Sequence, residues 1–135
     1  MREIHITAGI VALLAGFVAA FAAKGSKAHR ASGLAFVFGM FTMTLSALVS
    51  AAFLRPNAGN VVAATFSFYL VATAWLTVHP IAHQRGVQAA LALVAFAVAI
   101  AGIALGNDVV ARGVMPDGIP GQPMIAFGSV ALVAG

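Results

Sequence analysis

The stretch VAAFAAKGSKAHRASGLAFVF, residues 18–38, sets two lysines, an arginine and a histidine between two long apolar runs. The run before it reaches back to Ile6, and the run after it continues to Phe53. A helix needs about 20 mostly apolar residues to cross the hydrocarbon core of a bilayer. A short cationic turn between two runs of that order reads as a hairpin of membrane-spanning helices.

The rest of the chain repeats the pattern. A third apolar run covers residues 61–78 and ends at HPIAHQRG, and a fourth covers 87–105 and ends at GND. The break between the second and third is RPNAGN, whose proline, glycine and asparagines stop a helix. A fifth run begins at Pro123 and continues to Gly135. Composition agrees: 62% of residues are hydrophobic and 7% charged, whereas soluble domains carry about 25% charged residues. So few charges could not cover the surface of a soluble fold. The expected architecture is all-α, a single transmembrane bundle over residues 1–135 with spans near 6–23, 31–53, 61–78 and 87–105 and a truncated fifth at 123–135. PMIAFGSVALVAG is too short to span, so the chain is expected to be a fragment whose missing C-terminal helices complete the bundle.

The first run is not a secretory signal. Its apolar core exceeds the usual 7–15 residues, and its positive charges follow it where a signal has them in front. The chain has no cysteine, which excludes a disulfide framework, a thiolate metal site and a cysteine nucleophile. There is no Lys/Arg tract with interleaved aromatics, so nucleic-acid binding is not expected. No nucleophile–base pair, phosphate-binding glycine loop or zinc-protease motif appears.

Alternation of the spans sorts the charges. Lys24, Lys27, Arg30 and Arg85 fall on one side with no acid. Arg2, Arg55 and Arg112 fall on the other with Glu3, Asp108 and Asp117. The positive-inside rule counts Lys and Arg, which places the KGSKAHR loop in the cytoplasm and the N-terminus outside, in a bacterial inner membrane.

Small residues at Gly9, Ala12, Gly16, Ala19 and Ala23 recur three and four apart and line one face of the first span. Small residues let helices approach closely in lipid. HRASG at 29–33 echoes HITAG at 5–9, so His5 with Gly9 and His29 with Gly33 each share a face. Gly9, Gly16 and Gly33 are therefore the expected packing glycines. In the third span Thr65, Tyr69, Thr73 and Thr77 form a hydroxyl stripe, read as a face turned toward other helices or as a polar path for a substrate. Trp75 falls where an interfacial anchor is expected.

His29, His79 and His83 lie at one membrane depth and could hold a haem b or another metal, relay protons, or simply meet headgroups. His5 lies across the bilayer from them. The segment GNDVVARGVMPDGIPGQP reads as an outer connection that could also lie over the bundle as a lid.

Residues His5, Gly9, Gly16, Lys24-Gly25, His29-Arg30, Gly33, Met40, Tyr69, Thr73 and Trp75, spread over residues 4–78, resemble a family of bacterial multi-spanning membrane proteins with a domain of unknown function. The resemblance implies further spans after Gly135 and another basic loop bearing histidine, and it brings no reaction. A weaker likeness is to haem-binding membrane proteins of the cytochrome b561 or ferric-reductase type. The leading expectation is a non-enzymatic membrane module whose partners are the lipid bilayer and a membrane protein or a second copy. The alternatives are a haem-binding electron-transfer protein and a small transporter component.

Overall fold

The computed structural model describes residues 1–112 and 121–134. They form five α-helices: α1 (Arg2–Phe21), α2 (Lys27–Val49), α3 (Ala58–Val78), α4 (Gln84–Arg112) and α5 (Gly121–Ala134). A π-helical turn, Ser50–Leu54, continues α2. No strand occurs among the described residues. The first four helices are long and apolar enough to cross a membrane; twenty residues at about 1.5 Å each give roughly 30 Å.

Local chemistry sets the helix ends. The loop before α2 turns at Gly25, whose φ of 82° suits a residue without Cβ. Ser26 then caps α2, its Oγ accepting the His29 N–H at 3.1 Å. Asn57 caps α3 in the same way, its Oδ1 accepting the Asn60 N–H at 2.8 Å. Each helix starts a few residues before its expected span, and two differences matter most. Helix α1 already includes Arg2, Glu3 and His5, because a helix end at an interface tolerates charge. Helix α4 runs past GND to Arg112, where Asp108 and Arg112 form an i,i+4 ion pair at 2.8 Å. The first part of the expected outer loop is thus helical. The remainder, and with it the lid reading, lies outside the described residues.

The bundle is inside-out relative to a soluble protein. Large apolar side chains such as Leu13, Phe17, Phe21 and Phe53 are exposed, while the buried set is rich in Ala8, Ala12, Ala51, Ala64, Ala95, Ala99 and Ala131. That division suits lipid outside and close helix contact inside. The main cluster joins Val62, Phe66 and Tyr69 of α3 to Ala95, Val98 and Ala99 of α4 and Ala131 of α5. The tightest pairings are α1 on α2 and α4 on α5, with α3 packed on α2 and α4 between them. Helices α1 and α3 both lie against α2 but do not pack closely on each other.

Close approach depends on particular glycines. A Cβ on Gly39 would stand 3.0 Å from the Ala12 Cβ and 3.1 Å from its backbone nitrogen. One on Gly128 would stand 2.8 Å from the Ala99 carbonyl oxygen. A Cβ on Gly9 would stand 3.1 Å from the Met43 sulfur, and one on Gly16 would stand 2.9 Å from the Phe36 ring. The small-residue face of α1 is thus the surface that meets α2. Gly33 is a correction: nothing lies within 4 Å of where its Cβ would be. In α2 it is Gly39, six residues on, that meets α1.

Candidate functional site

Two histidines clasp the first hairpin. His5 Nδ1 lies 3.0 Å from the Met43 carbonyl oxygen, and His29 Nδ1 lies 2.9 Å from the Ala19 carbonyl oxygen. A carbonyl only accepts, so Nδ1 carries the hydrogen in both rings. Each imidazole stands near the start of its own helix and donates to the opposite helix, in a matching antiparallel register. The HITAG and HRASG echo therefore has a structural counterpart. Ala19 lies in the last turn of α1, where carbonyls lack helical partners, so His29 caps that helix from outside.

The other two histidines have separate surroundings. His79 ends α3 with its ring stacked on Trp75, centroids 3.7 Å apart and planes at 14°. His83 is exposed and sits at φ 63° just before α4. Its carbonyl accepts the Gly86 N–H at 2.9 Å, which starts that helix. Gln84 Nε2 donates to the Leu76 carbonyl at 3.3 Å and ties the ends of α3 and α4 together. Among the described residues no group of three or more His, Asp or Glu side chains converges where a metal ion could sit. Lys24, Lys27, Arg30 and Arg85 are exposed in and beside the two loops at this end.

The hydroxyl stripe of α3 is turned largely onto its own backbone. Thr65 donates to the Val61 carbonyl, Thr73 to Tyr69 and Thr77 to Thr73, at 2.8 to 2.9 Å. Tyr69 is buried in the main cluster with its ring stacked on Phe66.

A cavity with polar groups at its outer end and a largely apolar wall lies at the opposite end, in the groove that α1 and α3 leave over α2. Its volume is about 690 Å³, within the range of small-molecule sites. Arg2 and His5 line it from α1, Thr44, Ser46 and Ser50 from α2 and its π turn, Arg55 from the following corner, and Asn60 and Ser67 from α3. Met43, Ala47, Ala51, Leu54, Ala63 and Ala64 supply apolar wall.

The π turn sets the position of Arg55. Its N–H donates to the Ser50 carbonyl at 2.8 Å, an i+5 bond. Arg55 therefore stands one turn above Ser50, on the cavity side. A regular α-helix would pair the Ser50 carbonyl with the Leu54 N–H instead; Leu54 and Arg55 both line the cavity. The Asn57 N–H then reaches back six residues to the Ala51 carbonyl at 2.9 Å.

Sequence reasoning missed this site. Its polar residues come from three helices and a corner, and no two adjacent ones form a motif. The available signal was Thr44, Ser46 and Ser50 at one end of an apolar span, with Arg55 and Asn60 beyond the break. Compared with protein-family models, curated proteins and solved structures, the chain finds no match.

Proposed function

We propose that this chain is a non-enzymatic, multi-pass module of a bacterial cytoplasmic membrane that receives a small ligand in the groove between α1 and α3. The observation that carries the reading is the concentration of polarity there. The chain has 7 Lys and Arg in all, yet Arg2 and Arg55 both line this one groove with His5, Asn60 and several hydroxyls. Arg2 and Arg55 are both exposed at the groove's outer end, where their cationic heads meet water above an apolar wall. The lining includes no carboxylate, and the His5 Nδ1 hydrogen is committed to Met43. That composition suits holding a ligand more than moving protons on it.

Orientation follows from the basic loops. Lys24, Lys27, Arg30 and Arg85 favour the cytoplasmic side, so the groove would open outward.

The native chain has no cysteine, so single cysteines can be introduced directly. In intact cells Ser50→Cys and Ser67→Cys should react with a membrane-impermeant maleimide from outside. Leu13→Cys should not, although Leu13 is 75% exposed, because a lipid-facing thiol stays out of water. If neither serine position reacts while a loop control does, the groove is closed to the outside and the reading fails.

A further inference from the structure

We infer that the groove takes an anionic amphiphile, with a phosphate or carboxylate head held by Arg2 and Arg55 and an apolar chain running down over the walls that α2 and α3 supply. This rests on the proposed ligand-receiving groove and names the chemical class of its occupant.

The charged side chains that line the mouth are of one sign. Arg2 and Arg55 are the two charged side chains in the lining, and both are cations. Glu3 approaches Arg2 at 3.5 Å, but both side chains are more than four-fifths exposed. Water and salt screen such a pair, so it competes weakly with a ligand. Helices α1 and α3 both start at this end, and their N-terminal dipole ends add to the preference for an anion. Helix α2 finishes here, and its π turn closes off two terminal carbonyls, Ser50 and Ala51, through Arg55 and Asn57 N–H groups. The opposing negative end is thereby muted. Arginine pairs with phosphate or carboxylate through two parallel hydrogen bonds.

Below the mouth the groove becomes chemically quiet. Ser67 lies nine residues into α3, roughly 14 Å along the helix axis. Between the mouth and that depth the walls are Met43, Ala47, Ala63 and Ala64, with the hydroxyls of Thr44 and Ser46. Thr44 Oγ1 donates to the Met40 carbonyl at 2.8 Å and Ser46 Oγ to Met43 at 2.9 Å. Their hydrogens are committed to their own helix, which leaves little to attract a polar group. A head that wants cations and a tail that wants an apolar slot match this gradient along the bilayer normal. A free anion would use the mouth alone and leave the slot unexplained.

The test measures protection of Ser67→Cys in the full chain, reconstituted in phosphatidylcholine nanodiscs. Lysophosphatidic acid should slow maleimide labelling about tenfold or more, consistent with charge-assisted hydrogen bonds to two arginines. Myristate should act in the same direction. Adding Arg55→Gln, or separately Arg2→Gln, should cost about tenfold of the ligand affinity, while Arg55→Lys should retain part of it. Two separate arginine variants guard against one that misfolds. Equal protection by the uncharged monoacylglycerol would show an apolar slot without anion recognition and overturn the inference. So would protection by inorganic phosphate alone at the same concentration, which would make the head the whole ligand. Labelling that no amphiphile slows would sink the ligand class while leaving the open groove standing. An unreactive thiol that crosslinks between two copies would place a second chain in the groove and remove both readings.

Discussion

Two glycines of one helix should respond to alanine with opposite signs. Gly33 and Gly39 both lie within α2. At Gly33 an added Cβ meets nothing within 4 Å. Alanine there should stabilise the fold by up to about 1 kcal/mol, the usual helix-propensity gain over glycine. At Gly39 the same gain is opposed. The new methyl would stand 3.0 to 3.2 Å from three atoms of Ala12, two of them backbone, against an optimum of about 3.5–4.0 Å. Backbone atoms cannot turn aside, so α1 must retreat by roughly 0.5 Å or more, and a gap of that size forfeits a quarter or more of each contact's attraction. Overpacking costs about 1–3 kcal/mol. After the propensity gain, Gly39→Ala should destabilise by up to about 2 kcal/mol, and since that gain is common to both variants the split between them should be about 1–3 kcal/mol. Unfolding by SDS in mixed micelles, followed by far-UV circular dichroism, would measure both midpoints against the parent. Equal shifts of the same sign would refute the assignment of Gly39 as the point of closest approach. Gly9→Ala should fall between them, because its neighbour is the flexible Met43 thioether rather than backbone.

Other expectations can be checked on the same variants and assays. His29→Ala removes the hydrogen bond to the Ala19 carbonyl and should cost about 1 kcal/mol or somewhat more, with His29→Gln losing less because its amide can still donate. His83→Gly should stabilise by about 1 kcal/mol, since φ 63° is unfavourable for a residue with Cβ; a drop in stability would mean that the side chain holds the corner. Gly25→Ala should do the reverse, because φ 82° would then be strained. Replacing Lys24, Lys27 and Arg30 with neutral residues should weaken or invert orientation in a dual-reporter fusion; unchanged orientation would remove these charges as the topology signal.

The helical bundle was legible because each span is a long apolar run, and run length is the strongest signal a membrane sequence carries. Helix ends were less so. Arg2 and Glu3 look like a tail in sequence, yet α1 includes them, and α4 continues through Gly106, Asn107 and Asp108. Hydropathy marks the slab, while a helix continues for as long as backbone hydrogen bonds do. The facing of α1 was visible in its small residues. Which glycine of α2 meets it was not, because that depends on the register between helices. Gly33 follows the histidine echo and faces open space, while Gly39 belongs to no visible pattern and is the contact. The groove was the least legible feature. Its wall depends on an i+5 bond at Ser50, and nothing in SAAFLRP distinguishes a π turn from an α turn.

That turn also bears on how the chain tolerates changes of length. Five residues there cover what four cover in a regular helix, so the corner between α2 and α3 carries one surplus residue. Ala52 is exposed within it. Its deletion would let the turn relax to α geometry with Arg55 now four positions after Ser50 and still above it. Everything before and after would keep its rotational phase. A deletion elsewhere in these spans would rotate the following segment by about 100° and bring lipid-facing side chains into the interior. Among the first three helices, the π turn is therefore the place where the polypeptide can change length without losing register, which separates the clasped α1–α2 hairpin from α3 as units able to diverge independently.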